Sequence, residues 1–464
     1  MGERLRLAGA LRHGPPVIWR CGATQLFAAR LRHAGSAAVA AWIGLGARDD
    51  PPGKSGAGHL VEHLLLQRSG PAGDDLVAEV ESRGGEVQAY QYKDGIRLAI
   101  RVPAADAGFA LSALACILSD QAWSPDDVAS ERAAVVNELH ELADWPEAAA
   151  TQLAMDGLWP GSDWQRPVGG VAAEVPGLTA ADVAGAWAAA RARPLLLGVV
   201  GPGSPGAYLR RAAAAMSAVA GVAGRWPAAV RPGARAGVAG RPAGPCPPAG
   251  LPACPSARLP AVVRHRHQPS SQAYISLALA APPRSSPAFP VIEVADALLA
   301  GGAGSLLLGA LRGDNPLAYG VVSDLDIGVD LNAWSLTFGV AADRVSEALA
   351  VVLDEIGRVR TGDVSTGDLD RARRYVAGRL ALQLDNPSLY GRWLLLELLA
   401  HGRAVSAGER SRQWLAVGRQ ALAAAVTGAV AGGACLAVVG DVVPAEVQEC
   451  GRLLVGFLGA AREI

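Results

Sequence analysis

The sequence predicts an α+β protein made of two related domains, and three observations lead to this prediction. Strand and helix patterns follow one another through residues 36–142, proline and glycine accumulate between 224 and 260, and a second set of strands and helices starts beyond that segment. A stretch rich in proline and glycine can sustain neither a helix nor a central strand. We therefore expect an N-terminal domain over 1–223, a linker over 224–260 and a C-terminal domain over 261–464. The similar length and element order of the halves suggest an ancient duplication.

The elements of the first half are predicted from apolar periodicity and from the residues that bound each run. Ser124 directly before Pro125 is a typical helix start, and Lys93-Asp94-Gly95 is a typical turn between two strands. The predicted strands are 36–45, 86–91, 95–102 and 195–200, and the predicted helices are 59–67, 74–82, 104–119, 125–142 and 208–220.

The second half repeats this mixture of elements. Its predicted strands are 272–279, 318–326, 332–340 and 435–438, and its predicted helices are 291–311, 345–359, 368–384, 389–399 and 444–458.

Composition limits the possible classes of function. The formal net charge of the 464 residues is −1, which does not support a nucleic-acid-binding surface. The six cysteines form no C-x-x-C pair, so neither a zinc ribbon nor a disulfide framework is indicated. The sequence contains no run of about 18 apolar residues and no secretory signal. We expect a soluble cytoplasmic protein with no membrane or nucleic-acid partner.

The most informative motif is His59-Leu60-Val61-Glu62-His63, an H-x-x-E-H string at the start of a predicted helix. Positions i and i+4 share one helical face, so both imidazoles can bind one cation, while Glu62 on the same face can act as a base. This order is the inverted form of the H-E-x-x-H zinc motif. Histidines on apolar helices are often purely structural, but composition alone would produce this string in only roughly one such chain in a hundred.

A catalytic zinc site usually has a third protein ligand, and the predicted helix 125–142 offers candidates. It carries Glu131, Glu138, His140 and Glu141. Glu131 and Glu138 are two helical turns apart on one face, so Glu138 can bind the metal with Glu131 behind it as a supporting carboxylate. The alternative interpretation is a solvated acidic face without a metal.

Several other short segments match, in chain order, the motifs of one peptidase family. They are Gly46-Ala47-Arg48-Asp49-Asp50-Pro51, Gly84-Gly85-Glu86-Val87-Gln88-Ala89, Glu131-Arg132 through Val135, Val136 and Glu138, Arg166-Pro167-Val168-Gly169, and Leu311-Arg312 with Leu317-Ala318-Tyr319. Together with the H-x-x-E-H string, these segments resemble the pitrilysin/insulinase family, which includes insulin-degrading enzyme and mitochondrial processing peptidase. The resemblance implies two related αβ-sandwich domains, each with a mixed, largely antiparallel sheet and helices packed on one face.

The resemblance also implies roles for individual residues. One Zn²⁺ per chain would be bound by His59, His63 and Glu138, with Glu62 as the general base and Glu131 as the second carboxylate of the catalytic group. Arg312 and Tyr319 would bind the substrate carbonyl and stabilise the developing oxyanion. Gln88 and Ala89 would contact the substrate backbone. Gln88 stands where the family has Asn, and Arg68 replaces a common Gly; both departures concern substrate preference more than catalysis.

The expected function is therefore a zinc-dependent endopeptidase that cleaves short or unfolded peptides, including a precursor with a leader. By the same resemblance the chain is a half-shell that dimerises, either with itself or with a homologous half-size chain, and its Arg312 and Tyr319 face the partner's zinc. Two alternatives remain: a non-catalytic or scaffold subunit of a heterodimeric peptidase, and an unrelated α/β protein with a fortuitous motif.

Overall fold

The computed structural model describes residues 14–21, 24–67, 75–119, 122–218, 262–313, 316–326, 328 and 330–460. The predicted linker over 224–260 and Arg68 lie outside the described residues. The division of the chain into domains at these positions stays a prediction.

The first half forms a six-stranded sheet. Its strands are β1 (Val17–Cys21), β2 (Thr24–Arg30), β3 (Ser36–Ile43), β4 (Glu86–Gln91), β5 (Ile96–Pro103) and β6 (Leu195–Gly201), in the order β1-β2-β6-β3-β5-β4. Only β2 and β6 pair in parallel; the other neighbours are antiparallel. Strand β4 therefore lies at one edge of the sheet.

The helices of the first half connect these strands. They are α1 (Ala57–Leu66), α2 (Leu76–Ser82), α3 (Ala107–Ile117), α4 (Pro125–Asp144), α5 (Pro146–Leu158), α6 (Ala180–Arg191) and α7 (Pro205–Ala218). Alternation along β3 divides its two faces: Val39, Ala41 and Ile43 pack with the helices of their own half, whereas Ala40 and Trp42 belong to a different core.

The second half repeats the topology. Its strands are β7 (Val262–Arg266), β8 (Gln272–Ala281), β9 (Val321–Leu325), β10 (Asn332–Ala341) and β11 (Ala434–Val439), in the order β7-β11-β8-β10-β9. Here β7 and β11 pair in parallel and the remaining neighbours are antiparallel, as in the corresponding β2-β6-β3-β5-β4 arrangement. The predicted fold class, two related domains with mixed and largely antiparallel sheets, is confirmed.

The helices of the second half follow in a similar order. They are α8 (Phe289–Ala300), α9 (Leu306–Leu311), α10 (Val345–Thr361), α11 (Thr366–Gln383), α12 (Pro387–His401), α13 (Ala407–Ala416), α14 (Arg419–Gly432) and α15 (Pro444–Ala460). Within the described part of the chain, no single helix has the length and apolarity needed to cross a bilayer; only the bent pair α13 and α14 meets these criteria together.

Each half packs one of its helices on the sheet of the other half. Helix α5 packs on β8, β10 and β11, and helix α12 packs on β3, β5 and β6. Small side chains on the receiving strands, Ala278, Cys435 and Ala437, meet Ala154 and Leu158 of α5. Both faces of each sheet are thus covered, one by helices of its own half and the other by the exchanged helix.

Several elements differ from the sequence prediction. The predicted helix 291–311 is two helices, because the chain breaks at Gly301-Gly302, where Gly302 has a φ of +79° that favours glycine. The predicted strand 318–326 begins only at Val321. Strands β1, β2 and β7 and helices α5, α6, α13 and α14 were not predicted, since their alanine-rich or short patterns lack clear periodicity.

Candidate metal centre

Helix α1 is fixed at its N-terminus by a buried carboxylate. Asp50 accepts hydrogen bonds from the backbone N–H of Gly56 (2.7 Å) and of Gly58 (2.9 Å). Gly56 precedes the helix with a φ of +100°, a conformation that glycine adopts without strain. Burial raises the pKa of Asp50 to about 6 despite these two bonds. The carboxylate sets where the histidine helix begins.

Arg166 also binds the backbone that precedes α1. Arg166 Nη1 donates to the backbone oxygen of Arg48 at 2.6 Å and also to that of Asp50. Arg48 in turn pairs with Asp163 (3.1 Å) in the first half and Asp330 (2.6 Å) in the second. Two of the segments that carry the family resemblance are therefore in direct contact at the entrance to α1.

Helix α4 presents two carboxylates to α1. It begins at the N-cap Ser124, whose hydroxyl accepts from the N–H of Asp127, and Pro125 follows at its first position. Val128 and Val135 are its buried residues. Glu131 and Glu138 follow these valines by three residues each, so they lie on the same helical face. This spacing places both carboxylates on the side of α4 that faces the histidines of α1.

His59, His63 and Glu138 form the one cluster of potential metal ligands found in the described residues. The Nε2 atoms of the two histidines are 3.2 Å apart, and Glu138 Oε2 lies 3.6 Å from that of His59 and 3.4 Å from that of His63. Ligands bound tetrahedrally to Zn²⁺ at about 2.0–2.2 Å are separated by roughly 3.3–3.6 Å. The triangle of donor atoms thus has the dimensions of three zinc ligands.

Hydrogen bonds on the far side of both rings fix their orientation. His59 Nδ1 lies 3.2 Å from the backbone oxygen of Gly169, and His63 Nδ1 lies 2.9 Å from Glu131 Oε2. The other oxygen of Glu131 accepts a hydrogen bond from Gln67. With both Nδ1 atoms engaged as donors, both Nε2 lone pairs are free to face a metal, which is the usual arrangement of metal-binding histidines.

Glu62 lies beside the triangle and not within it. Its Oε2 is 3.8 Å from His59 Nε2, and its side chain is 12% exposed. Burial raises the pKa of Glu62 to about 7, against the opposing effects of the His63 charge and a hydrogen bond from the backbone N–H of Gln91. A carboxylate on α1 with a pKa near neutrality, positioned by a hydrogen bond from strand β4, suits the transfer of protons.

The charge state of the cluster also suits a cation. Burial, followed by the charge of His63, lowers the pKa of His59, which favours the neutral imidazole that a metal requires. The hydrogen bond from His63 lowers the pKa of Glu138, which favours the carboxylate. Contacts with Glu138 and Glu131 raise the pKa of His63, so this ring must give up a proton when a cation binds. Two imidazoles and one carboxylate are a donor set that zinc accepts once both rings are neutral, so the residues fit this metal.

The predicted substrate-binding residues lie in two places. Gln88 and Ala89 are on the edge strand β4, against which α1 packs. Arg312 and Tyr319 contact each other on the second half: Arg312 Nε donates to the backbone oxygen of Tyr319 at 2.7 Å, and its guanidinium stacks 4.7 Å from the centre of the Tyr319 ring. Tyr319 is 90% exposed. Among the described residues, no hydrogen bond or ion pair joins this pair to the histidine cluster.

Sequence reasoning missed four residues that build the site, namely Asp50, Gln67, Gln91 and Gly169. A signal was present for Asp50 and Gly169, which both lie in matched segments; a side chain at Gly169 would approach Leu139 to 3.0 Å. The backbone and amide contacts of the others depend on the tertiary fold and leave no trace in local pattern.

Comparison with known proteins agrees with the geometry. Residues 28–168 match the model of the family described as Insulinase (Peptidase family M16), and residues 222–376 match the Peptidase M16 inactive domain. Together the two matches cover more than half of the chain. The chain belongs to the M16, or pitrilysin/insulinase, peptidase family.

Individual relatives and structures are similar over shares of the chain that range from 22% to 92%. An uncharacterized zinc protease of Mycobacterium tuberculosis is 28% identical over 360 residues, which is 76% of each chain. Subunit 1 of the bovine mitochondrial cytochrome b-c1 complex is 31% identical over 104 residues, 22% of each chain. A protease from Helicobacter pylori superposes with a TM-score of 0.76 at 15% identity, covering 92% of this chain and 99% of that chain. An M16 inactive domain from Pseudomonas fluorescens gives 0.75 at 19% identity, covering 92% and 98%.

Proposed function

We propose that this protein is a zinc-dependent endopeptidase that hydrolyses peptide bonds in short or unfolded peptides. The observation that supports this function best is the donor triangle of His59, His63 and Glu138 with the buried Glu62 directly beside it. A metal site serving only structure would have no need of an additional near-neutral carboxylate. Relatives named zinc proteases support the same class of chemistry.

In this proposal each residue of the site has a separate role in the hydrolysis. When bound by His59, His63 and Glu138, zinc supplies a Lewis acid that activates water near neutral pH. Glu62 accepts a proton on its carboxylate as water attacks the peptide carbonyl, and donates a proton to the nitrogen of the leaving amine. Glu131 holds the ring of His63 by its Nδ1–H throughout.

The edge of the first sheet is the proposed substrate-binding surface. Strand β4 has a neighbour on only one side, so an extended peptide can add to it through main-chain hydrogen bonds, with Gln88 and Ala89 in contact. This mode tolerates many sequences but requires an extended backbone. It favours unfolded peptides, including the leader of a precursor, over folded proteins.

We further propose that the working site spans two chains. Arg312 and Tyr319 are exposed on the second half and bind each other there, which leaves them available to a substrate held on a partner chain. A homodimer or a heterodimer with a homologous half-size chain would each provide this arrangement. The similarity to a protein named as a subunit of the cytochrome b-c1 complex supports assembly with a further chain.

The second candidate function is a non-catalytic or scaffold subunit of such a peptidase. It is favoured by the match of residues 222–376 to a domain described as inactive. The two candidates differ in one measurable property, since only the first requires zinc and Glu62 together for peptide cleavage.

The deciding experiment combines metal analysis with a peptide assay. The wild-type protein and the Glu62→Gln and Glu141→Gln variants are purified, their zinc content is measured, and cleavage of an unstructured quenched fluorescent peptide is followed. We expect one zinc per chain in all three, cleavage by the wild type and by Glu141→Gln, and a loss of roughly 10³-fold or more in Glu62→Gln. Cleavage that survives Glu62→Gln would contradict the proposal, and zinc binding without cleavage in the wild type would favour the scaffold.

A further inference from the structure

The second half contains a cavity at the place that the metal centre occupies in the first half. Helix α8 follows β8 as α1 follows β3, helices α11 and α12 correspond to α4 and α5, and β9 is the edge strand as β4 is. A cavity of about 320 Å³ lies between α8, α11, α12 and β9. This volume is in the range of sites for small molecules.

The charged groups at the floor of this cavity have partners. Glu293 accepts a hydrogen bond from the indole N–H of Trp414 at 2.9 Å, and Asp296 accepts one from another indole at 2.8 Å. Arg284 donates to Glu397 through two nitrogens, at 3.1 and 2.8 Å. Burial raises the pKa of both Glu293 and Asp296, which weakens their negative charge. The floor is therefore a balanced network that leaves little charge unmatched.

Two arginines that line the same cavity have no such partners. The Nε of Arg392 is buried without a hydrogen-bond partner, and among the described residues neither Arg392 nor Arg379 forms a hydrogen bond or an ion pair. Burial raises the pKa of Asp324 and the charge of Arg392 opposes this shift, although the two described side chains form no ion pair. Burial and the positive charge of Arg392 lower the pKa of Arg97 on strand β5. The guanidinium of Arg97 therefore lies close enough to that of Arg392 for the two to repel each other. Arg392 is half-buried and Arg379 is exposed, so an anion in the cavity can pair with both guanidinium groups.

One face of helix α11 lines the opening of the cavity. Tyr375, Arg379 and Gln383 follow one another at four-residue intervals, so they share one face of α11, and all three are exposed at the mouth. Trp393 forms an apolar wall next to Arg392 on α12. Guanidinium groups beside aromatic rings are suited to an oxyanion attached to an apolar body.

We propose that this cavity binds a small organic anion, a carboxylate or a phosphate ester with a compact apolar group, and that Arg379 and Arg392 bind the oxyanion. The site is independent of the proposed peptidase activity, and its occupation does not require zinc.

Calorimetry on the full-length protein tests the site with three probes. These are N-acetyl-L-phenylalanine, phenyl phosphate and, as the uncharged match, N-acetyl-L-phenylalanine amide, each titrated into zinc-loaded and chelator-treated, dialysed protein. We expect saturable binding of at least one anion in both states and none of the amide. Binding of the acid alone identifies carboxylates as the ligand class, and binding of phenyl phosphate alone identifies phosphate esters. Absence of binding by both anions, or equal binding of the amide, overturns the proposal.

Variants locate the binding to the two arginines. Arg379→Gln changes an exposed side chain at the mouth, and we expect it to weaken anion binding about tenfold or more; Arg392→Gln should do the same. Arg374→Gln is the control, because Arg374 is exposed on the same helix but does not line the cavity. Unchanged affinity in Arg379→Gln, or an equal loss in Arg374→Gln, overturns the assignment. Arg379→Gln carries the test even if Arg392→Gln does not fold.

Discussion

The two halves of this protein share one topology but place different side chains at the corresponding position. In the first half, the space between α1 and α4 holds His59, His63 and Glu138 with their donor atoms 3.2–3.6 Å apart. In the second half, the space between α8 and α11 opens into a cavity lined by Arg379 and Arg392. The strands and helices fix where a site can form, and we propose that a few side chains on the surrounding helices decide whether it attracts a cation or an anion.

The largest effect is expected when a proposed metal ligand is removed from the first half. We expect His63→Ala to lose its zinc completely and to lower peptide cleavage by at least about 10³-fold, because two remaining ligands cannot hold the metal in a catalytic geometry. Zinc content by mass spectrometry and the cleavage assay measure the two effects. Anion binding in the second half should be unchanged, since its cavity shares no side chain with the cluster.

His140→Ala is the matched control for this variant. His140 is exposed on α4, two residues from Glu138, and is not part of the ligand cluster. Its zinc content and cleavage should equal those of the wild type. Zinc retained in His63→Ala, or lost in His140→Ala, would show that the triangle is not the metal site.

A smaller effect is expected from the carboxylate that supports His63. Glu131→Gln keeps the size of the side chain but removes the charge that receives the Nδ1–H at 2.9 Å. We expect zinc affinity to fall about ten- to a hundredfold, with the metal still able to bind at saturating concentration. Competition with a chromogenic chelator measures this affinity. Glu141→Gln on the exposed side of the same helix should have no effect, and an equal loss there would indicate a general electrostatic contribution in place of ring orientation.

The sequence was most informative where chemistry depends on local spacing. The i, i+4 histidines and the seven-residue interval between Glu131 and Glu138 predicted the three groups that the structure brings together in the first half. The mixed fold with two related domains was also predictable, since strands and helices recur in the same order on both sides of the Pro/Gly-rich segment.

The remainder depended on contacts between distant parts of the chain. The exchange of α5 and α12 has no local signature, because an alanine-rich helix does not show in its own sequence which sheet it will cover. The hydrogen bond from His59 to Gly169 joins residues that are 110 positions apart. The cavity between α8 and α11 was missed for the same reason, since its arginines resemble any solvated arginines until their neighbours are known.

Substitutions in the exchanged helices α5 and α12 should have the smallest effects. A Cβ on Gly157 of α5 would lie 2.3 Å from Cys435 Sγ and 2.8 Å from Arg264 Nε, whereas one on Gly391 of α12 would meet nothing closer than a methyl of Val200 at 3.7 Å. We therefore expect Gly157→Ala to lower the free energy of unfolding by about 1–3 kcal/mol through overpacking. Gly391→Ala should leave it unchanged or raise it by roughly 0.5–1 kcal/mol, since alanine is the better helix former.

Urea unfolding of the two variants beside the wild type measures this difference. The two helices hold equivalent positions in the duplicated fold, so a symmetric interface would respond equally to both substitutions. Opposite signs would mean that α5 is packed more closely on the second sheet than α12 is on the first. Equal destabilisation by both would instead show that α12 is as tightly confined as α5, and that the asymmetry between the halves is limited to the metal centre and its arginine-lined counterpart.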